Sequence, residues 1–260
     1  MMGADTSFLS SVLRSIVPSS LFPGNRMARS IERLGGVVLS GPFRGMRGAQ
    51  DRPGGVGFLF PMLLGTFERE LHSVLESALR IPFERVVNVG AREGYYAIGL
   101  AIRLPGAEIV TFEAEPEGQR FVSEVASLNG VAKRIEVLGW CGPKELETSL
   151  AGGGKCLVVC DVEGYEDVLM DPVAVPSLRR SWLLIEEHEQ AAPGIGKALE
   201  RRFSPTHRIV RIWQEPRTVH DYLLNPVLKW LPTQSWRHFV NEQRQYRMSW
   251  LWLEPLGQKG

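Results

Sequence analysis

Val86-Val87-Asn88-Val89-Gly90-Ala91-Arg92-Glu93-Gly94-Tyr95-Tyr96 decides the fold of this chain, and Phe112-Glu113 closes the next apolar run. A β-branched run opens onto a glycine-marked turn and then a helix, and a carboxylate ends the following strand. Open α/β sheets hold adenosine-containing cofactors in this way, at the carboxyl edge of the strands. The glycines let the backbone approach a ligand, and a carboxylate accepts hydrogen bonds from both ribose hydroxyls. The spacing is Gly-x-x-x-Gly rather than the Gly-x-Gly-x-x-Gly of dinucleotide binders, so no pyrophosphate cradle is present. A cofactor with adenosine and no phosphate fits better, and S-adenosylmethionine is the commonest of these.

Outward from this stretch, strands and helices alternate. Strands are expected near 85–90, 108–113, 134–139, 156–161 and 182–187. Helices are expected near 94–103, 116–128, 143–150, 165–170 and 194–203. Pro105-Gly106 stops the first of these helices, Pro116 opens the second and Asn129-Gly130 ends it. Upstream, Thr66 is expected to cap a helix whose stripe is Phe67, Leu71, Val74, Leu75 and Leu79. Single helices between strands imply right-handed crossovers and a parallel sheet. Two late strands, 207–213 and 248–253, flank a long, mostly helical insertion rich in Trp. Residues 1–65 are rich in Gly, Pro, Ser and Arg. They read as an irregular appendage, a candidate lid or substrate-side segment, with 66–260 as the cofactor-binding domain.

Composition excludes several classes. The 260 residues are 44% hydrophobic and 23% charged, enough for one large domain with an appendage. A net charge of +1 gives no electrostatic reason to expect nucleic acid as partner. The basic pairs Arg179-Arg180 and Arg201-Arg202 are interleaved with acids and read as solvated faces. Cys141, Cys156 and Cys160 are an odd count without a Cys-x-x-Cys pair, which suggests buried thiols in a reducing compartment. No apolar run approaches the roughly 20 residues of a membrane span. The stretch 8–17 lacks a basic leader, so a cytoplasmic location is expected.

Four stretches together resemble the FkbM family of S-adenosylmethionine-dependent methyltransferases, within the Rossmann-like class I group. They are Asn88 to Tyr96; Phe112-Glu113-Ala114-Glu115-Pro116 with Leu128-Asn129-Gly130; Asp161-Val162-Glu163-Gly164-Tyr165-Glu166; and Ile185-Glu186-Glu187-His188. The likeness covers roughly residues 65–190. It implies an α/β fold with a seven-stranded, mostly parallel sheet, one antiparallel strand and helices on both faces. It also implies methyl transfer to an acceptor, usually a hydroxyl. The first strand of such enzymes often ends in Asp-x-Gly. Asn88 stands there instead, which removes a negative charge near the cofactor's ammonium group.

Two constellations follow. For the cofactor, Gly90, Ala91, Arg92, Glu93, Gly94 and Tyr95 would line the methionine part and sugar, with Asn88 beneath them. Glu113, with Ala114 beside it, would take the ribose hydroxyls, and Gly139, Trp140 and Cys141 would border the adenine. For the reaction, Asp161 and Glu163 end one strand, and Glu186 and His188 end the next. Residues two apart in a strand share a face, so each pair can point into one cleft. An aliphatic hydroxyl has a pKa of roughly 16, like bulk water. Its methylation gains from a base, such as His188 or a carboxylate, or from a magnesium-like ion held by the same group. The plain alternative is that Glu163 caps the helix at Tyr165 while Glu186 and His188 merely pair. The acceptor is expected to be a small molecule or glycan. N-methylation on the same fold and a catalytically silent cofactor-binding module are the other readings.

Overall fold

The computed structural model describes residues 36–48, 61–152, 154–216, 242 and 246–257. Its centre is one seven-stranded sheet: β1 Arg85–Val89, β2 Glu108–Phe112, β3 Ile135–Leu138, β4 Cys156–Cys160, β5 Trp182–Glu187, β6 His207–Trp213 and β7 Ser249–Pro255. The strand order is β3-β2-β1-β4-β5-β7-β6. β1 to β5 pair in parallel, while β7 runs antiparallel to both β5 and β6. This is the Rossmann-like class I methyltransferase arrangement, with the late antiparallel strand where the sequence places it.

Helices α1 His72–Ala78, α2 Tyr95–Arg103, α3 Pro116–Leu128, α4 Pro143–Leu150, α5 Glu166–Leu169 and α6 Ile195–Phe203 cover the sheet. Each central strand is apolar on both faces, so successive residues feed two cores. Val86, Val159 and Leu184 join the apolar residues of α1, α2 and α3. Val87, Val89, Val158 and Ile185 join those of α4, α5 and α6. Pro116 stands at the first turn of α3, where its missing N–H costs nothing. Among the described residues no helix is long and apolar enough to cross a membrane.

Some expectations shift. Thr66 caps no helix: a short 3₁₀ turn, Arg69–Leu71, leads into α1, and the Thr66 hydroxyl lies 3.5 Å from the Pro61 carbonyl. The described part of the appendage packs on the domain. Phe43 and Met46 are buried with α2, and Phe43 packs edge-on against Tyr95 at 5.0 Å and Tyr96 at 6.1 Å. Arg47 offers its backbone N–H and carbonyl to the Asn129 side chain at 2.8 and 2.7 Å, fastening this strap to the end of α3. Residues 1–35 and 49–60 of the appendage and most of the Trp-rich insertion lie outside the described residues, Trp230 and Trp236 among them. Trp250 and Trp252 fill the core, whereas Trp213 is 43% exposed. Of the basic pairs, Arg202 meets Asp167 at 2.9 Å and Arg180 meets the Ser177 hydroxyl at 3.0 Å.

Candidate functional site

The turn after β1 carries three residues in the left-handed region: Gly90 at φ 84°, Arg92 at 42° and Gly94 at 76°. Gly90 cannot be replaced without moving backbone, because a Cβ there would stand 1.7 Å from the Asp161 carbonyl oxygen. The turn therefore lies directly on the start of the loop after β4. Gly94 opens α2, whose first-turn N–H groups lack intrahelical acceptors.

Glu113 ends β2 at 8% exposure and reaches back to this turn. One carboxylate oxygen accepts the Arg92 backbone N–H at 2.7 Å, and the other accepts that of Glu115 at 3.0 Å. Each oxygen keeps a second lone pair, so the pair fits a ribose diol while already held in place. Gly118 makes room for it: a Cβ there would come within 2.7 Å of Glu113 Cγ. Sequence reasoning missed Gly118, although a glycine in the first turns of a helix, about 1 kcal/mol worse than Ala, was a legible sign of close approach.

The other proposed cofactor residues divide. Ala114, Arg92 and Trp140 are exposed around the rim, and Gly139 lies between them with only Gln119 near. Trp140 is 63% exposed and its ring stands 5.2 Å from that of Tyr165. Cys141 and Ala91 are buried beside this rim, and burial pushes the Cys141 thiol up to about 12. Glu93 is buried on the inner side of the turn. Asn88 and Tyr95 point inward. The Asn88 amide lies 3.4 Å from the Val159 carbonyl and from the Thr111 hydroxyl. The Tyr95 ring belongs to an aromatic group with Phe43, Phe67 and Tyr96.

The second constellation forms at the carboxyl ends of β4 and β5. Cys160 pairs with Ile185 in parallel register, so Asp161 and Glu186 follow side by side. Asp161 shares its face with Val159, and Glu186 and His188 share theirs with Leu184. Trp250 stands opposite Glu186 on β7 and is 1% exposed, which keeps water from that side of the carboxylate. His188 Nε2 lies 3.4 Å from Asp161 Oδ1, 3.5 Å from Glu163 Oε2 and 3.9 Å from Glu186 Oε2. Its Nδ1 is 2.5 Å from Glu166 Oε1. Arg92 joins the two constellations, its guanidinium 3.7 Å from Glu163.

The electrostatics follow from this crowding. Burial alone would lower the His188 pKa, but the Glu166 hydrogen bond and the Asp161 and Glu186 carboxylates outweigh it and raise it to about 9. Burial, then repulsion from Glu186, hold the Asp161 carboxyl well above its ordinary value. Glu163 does not cap the following helix. It is 70% exposed, and the N–H of Gly164 is taken by Glu166 at 3.3 Å. Glu166, fully buried, is the site residue the sequence reading passed over. Its signal was a third carboxylate in the run from Asp161 to Glu166.

No family model matches the chain. A release factor glutamine methyltransferase of Deinococcus radiodurans is 35% identical over 83 residues, and that match spans 30% of each chain. Among solved structures, the O-methyltransferase TomG of Streptomyces achromogenes, in complex with SAM, is 12% identical. It covers 95% of this chain and 96% of its own, with a TM-score of 0.46. Cofactor-bound Rv0187 from MTB is 18% identical, over 82% and 92% of the two chains, with a TM-score of 0.45. The fold assignment rests on strand order and register rather than on these scores.

Proposed function

We propose that this chain is an S-adenosylmethionine-dependent methyltransferase, of FkbM type by its four motif stretches, acting on a hydroxyl of a small molecule or glycan. The observation that carries the reading is Glu113: a buried carboxylate clasped by the backbone of Arg92 and Glu115, beside a turn with no side chain at Gly90 or Gly94. Such a carboxylate suits a sugar diol. The partial match to a relative named as a methyltransferase adds support, and the three buried free cysteines suit a reducing, cytoplasmic setting.

Residues 90–95 would hold the methionine part and sugar, and Gly139, Trp140 and Cys141 the adenine. When bound, S-adenosylmethionine supplies a methyl group already activated on sulfur. The chain's own task is then to align the acceptor, exclude water and take up its proton. Asp161 and Glu186, side by side after β4 and near the end of β5, would receive that proton, and Glu166 sets the orientation of His188 beside them.

Calorimetry with S-adenosylhomocysteine beside NAD tests the proposal. The expected result is binding of the first and not the second. Failure of S-adenosylhomocysteine to bind the folded protein overturns it. N-methylation of an amine on the same fold is a second reading. A neutral amine needs no base, so under that reading activity survives exchange of Glu186 and His188 for Gln and Asn.

A further inference from the structure

We propose that the carboxyl ends of β4 and β5 form a divalent-cation site. Asp161, Glu186 and His188 are its protein ligands, and Glu166 is the positioning residue that aims the imidazole. The site is argued from its donor atoms alone, and only its role in methyl transfer rests on the function proposed above.

The spacing around His188 Nε2 is the first argument. A nitrogen that donated a proton to one of these carboxylates would sit about 2.7–3.2 Å from it. The carboxylate oxygens around it stand at 3.4, 3.5 and 3.9 Å, and among the described residues Nε2 makes no hydrogen bond although the side chain is only 8% exposed. Two donors that share one ion at about 2.1–2.4 Å, at right-angled to tetrahedral openings, stand about 3.0–3.9 Å apart. The observed separations are those of a coordination shell. The ligand atoms of Asp161, Glu186 and His188 all lie within 4.8 Å of one another.

Orientation is the second. Glu166 Oε1 accepts from Nδ1 at 2.5 Å, and the Glu166 residue is fully buried. That bond holds a proton on Nδ1 and aims Nε2 at Asp161 and Glu186, so a bound cation would take the place of any proton on Nε2. Metal-binding histidines are held by a carboxylate on the far nitrogen in this manner. The ring cannot turn to satisfy Nε2 elsewhere without giving up Glu166.

Charge and access complete the case. Asp161, Glu163, Glu166 and Glu186 converge on one imidazole, with Arg92 meeting Glu163 at the rim. Glu186 is buried, whereas the Asp161 side chain is 25% exposed, so the group opens on the side where an acceptor would enter. Two carboxylates suit manganese or magnesium, which prefer oxygen donors and keep open positions for water or substrate oxygen, and the imidazole favours manganese of the two. Glu163, 70% exposed, is placed to add a third oxygen as a fourth protein ligand.

The test uses the full chain, stripped with EDTA and titrated with Mn²⁺ while the signal of free Mn²⁺ is followed by electron paramagnetic resonance. One equivalent should bind, with Mg²⁺ competing. D161N and E186Q should each weaken binding at least about tenfold, and E166Q about 10–100-fold, the effect of losing an outer-shell partner. Near-UV circular dichroism establishes that each variant is folded. Wild-type protein that binds no Mn²⁺ at about 1 mM, an affinity weaker than that of extracellular cation modules, overturns the site. So does wild-type affinity in folded D161N and E186Q. Calorimetry with S-adenosylhomocysteine is run in parallel: Mn²⁺ binding without it would leave the cation site standing and remove the methyltransferase reading.

Discussion

Gly90 and Asp161 meet through bare backbone, with room for no atom between the Gly90 Cα and the Asp161 carbonyl. The turn after β1 and the loop that carries Asp161 and Glu163 thus form one close joint. Gly90→Ala should break it. The left-handed conformation at φ 84° costs a side chain of order 1–3 kcal/mol by itself, and the clash adds to that. Denaturant unfolding is expected to show a loss of roughly 3 kcal/mol or more, with S-adenosylhomocysteine binding abolished. A variant with wild-type stability and affinity would refute the joint.

Gly118→Ala should separate stability from binding. Ala is the better helix former by about 1 kcal/mol, yet its Cβ would crowd Glu113 Cγ at 2.7 Å. The melting temperature should hold or rise while S-adenosylhomocysteine affinity falls about tenfold. Glu113→Gln, which removes charge-assisted bonds worth about 1.5–3 kcal/mol, should weaken it about 10–100-fold. Unchanged affinity in both variants would place the ribose elsewhere.

These two glycines show what the sequence could and could not tell. Gly90 was legible because it follows a β-branched run, and a strand leading into glycine and a helix has few other meanings. Strand and helix limits came within a residue or two for the same reason, with Pro105-Gly106, Pro116 and Asn129-Gly130 as punctuation. Gly118 and Glu166 were not read, since each acts on a partner that the topology alone brings near: Glu113 from the preceding strand and His188 from the strand beyond. Thr66 failed as a cap because tertiary contacts set the entry to α1. The packing of Phe43 on Tyr95 was not legible, because nothing local in the sequence shows it.

The thiols should be inert in the folded protein. Burial raises all three: Cys141 to about 12, Cys156 above its usual range, and Cys160 well above it. At pH 8 a thiol-disulfide reagent should label none of them natively and all three in denaturant. Rapid native labelling of any one would contradict the packing around β4.

His207 should contribute a pH-dependent share of stability. Burial, against a partly offsetting bond to the Ser181 carbonyl, lowers its pKa below 6.5. Its Nε2 is 2.9 Å from that carbonyl, its Nδ1 is 2.9 Å from the Thr206 hydroxyl, and Phe203 lies edge-on beside it. A base with a depressed folded pKa gives its full contribution above about 6.5 and loses it as pH falls toward the folded value. His207→Asn should be less stable at pH 7, and its stability should fall less than that of wild type between about pH 7 and 5. Parallel stability profiles for the two proteins would rule this out.

The Arg47–Asn129 clasp carries a practical lesson for anyone trimming the chain. Deleting residues up to 50 would tear Phe43 from beneath Tyr95 and uncap the far end of α3, so a damaged enzyme from such a fragment would say nothing about acceptor choice. A cut placed before Gly36 spares both attachments.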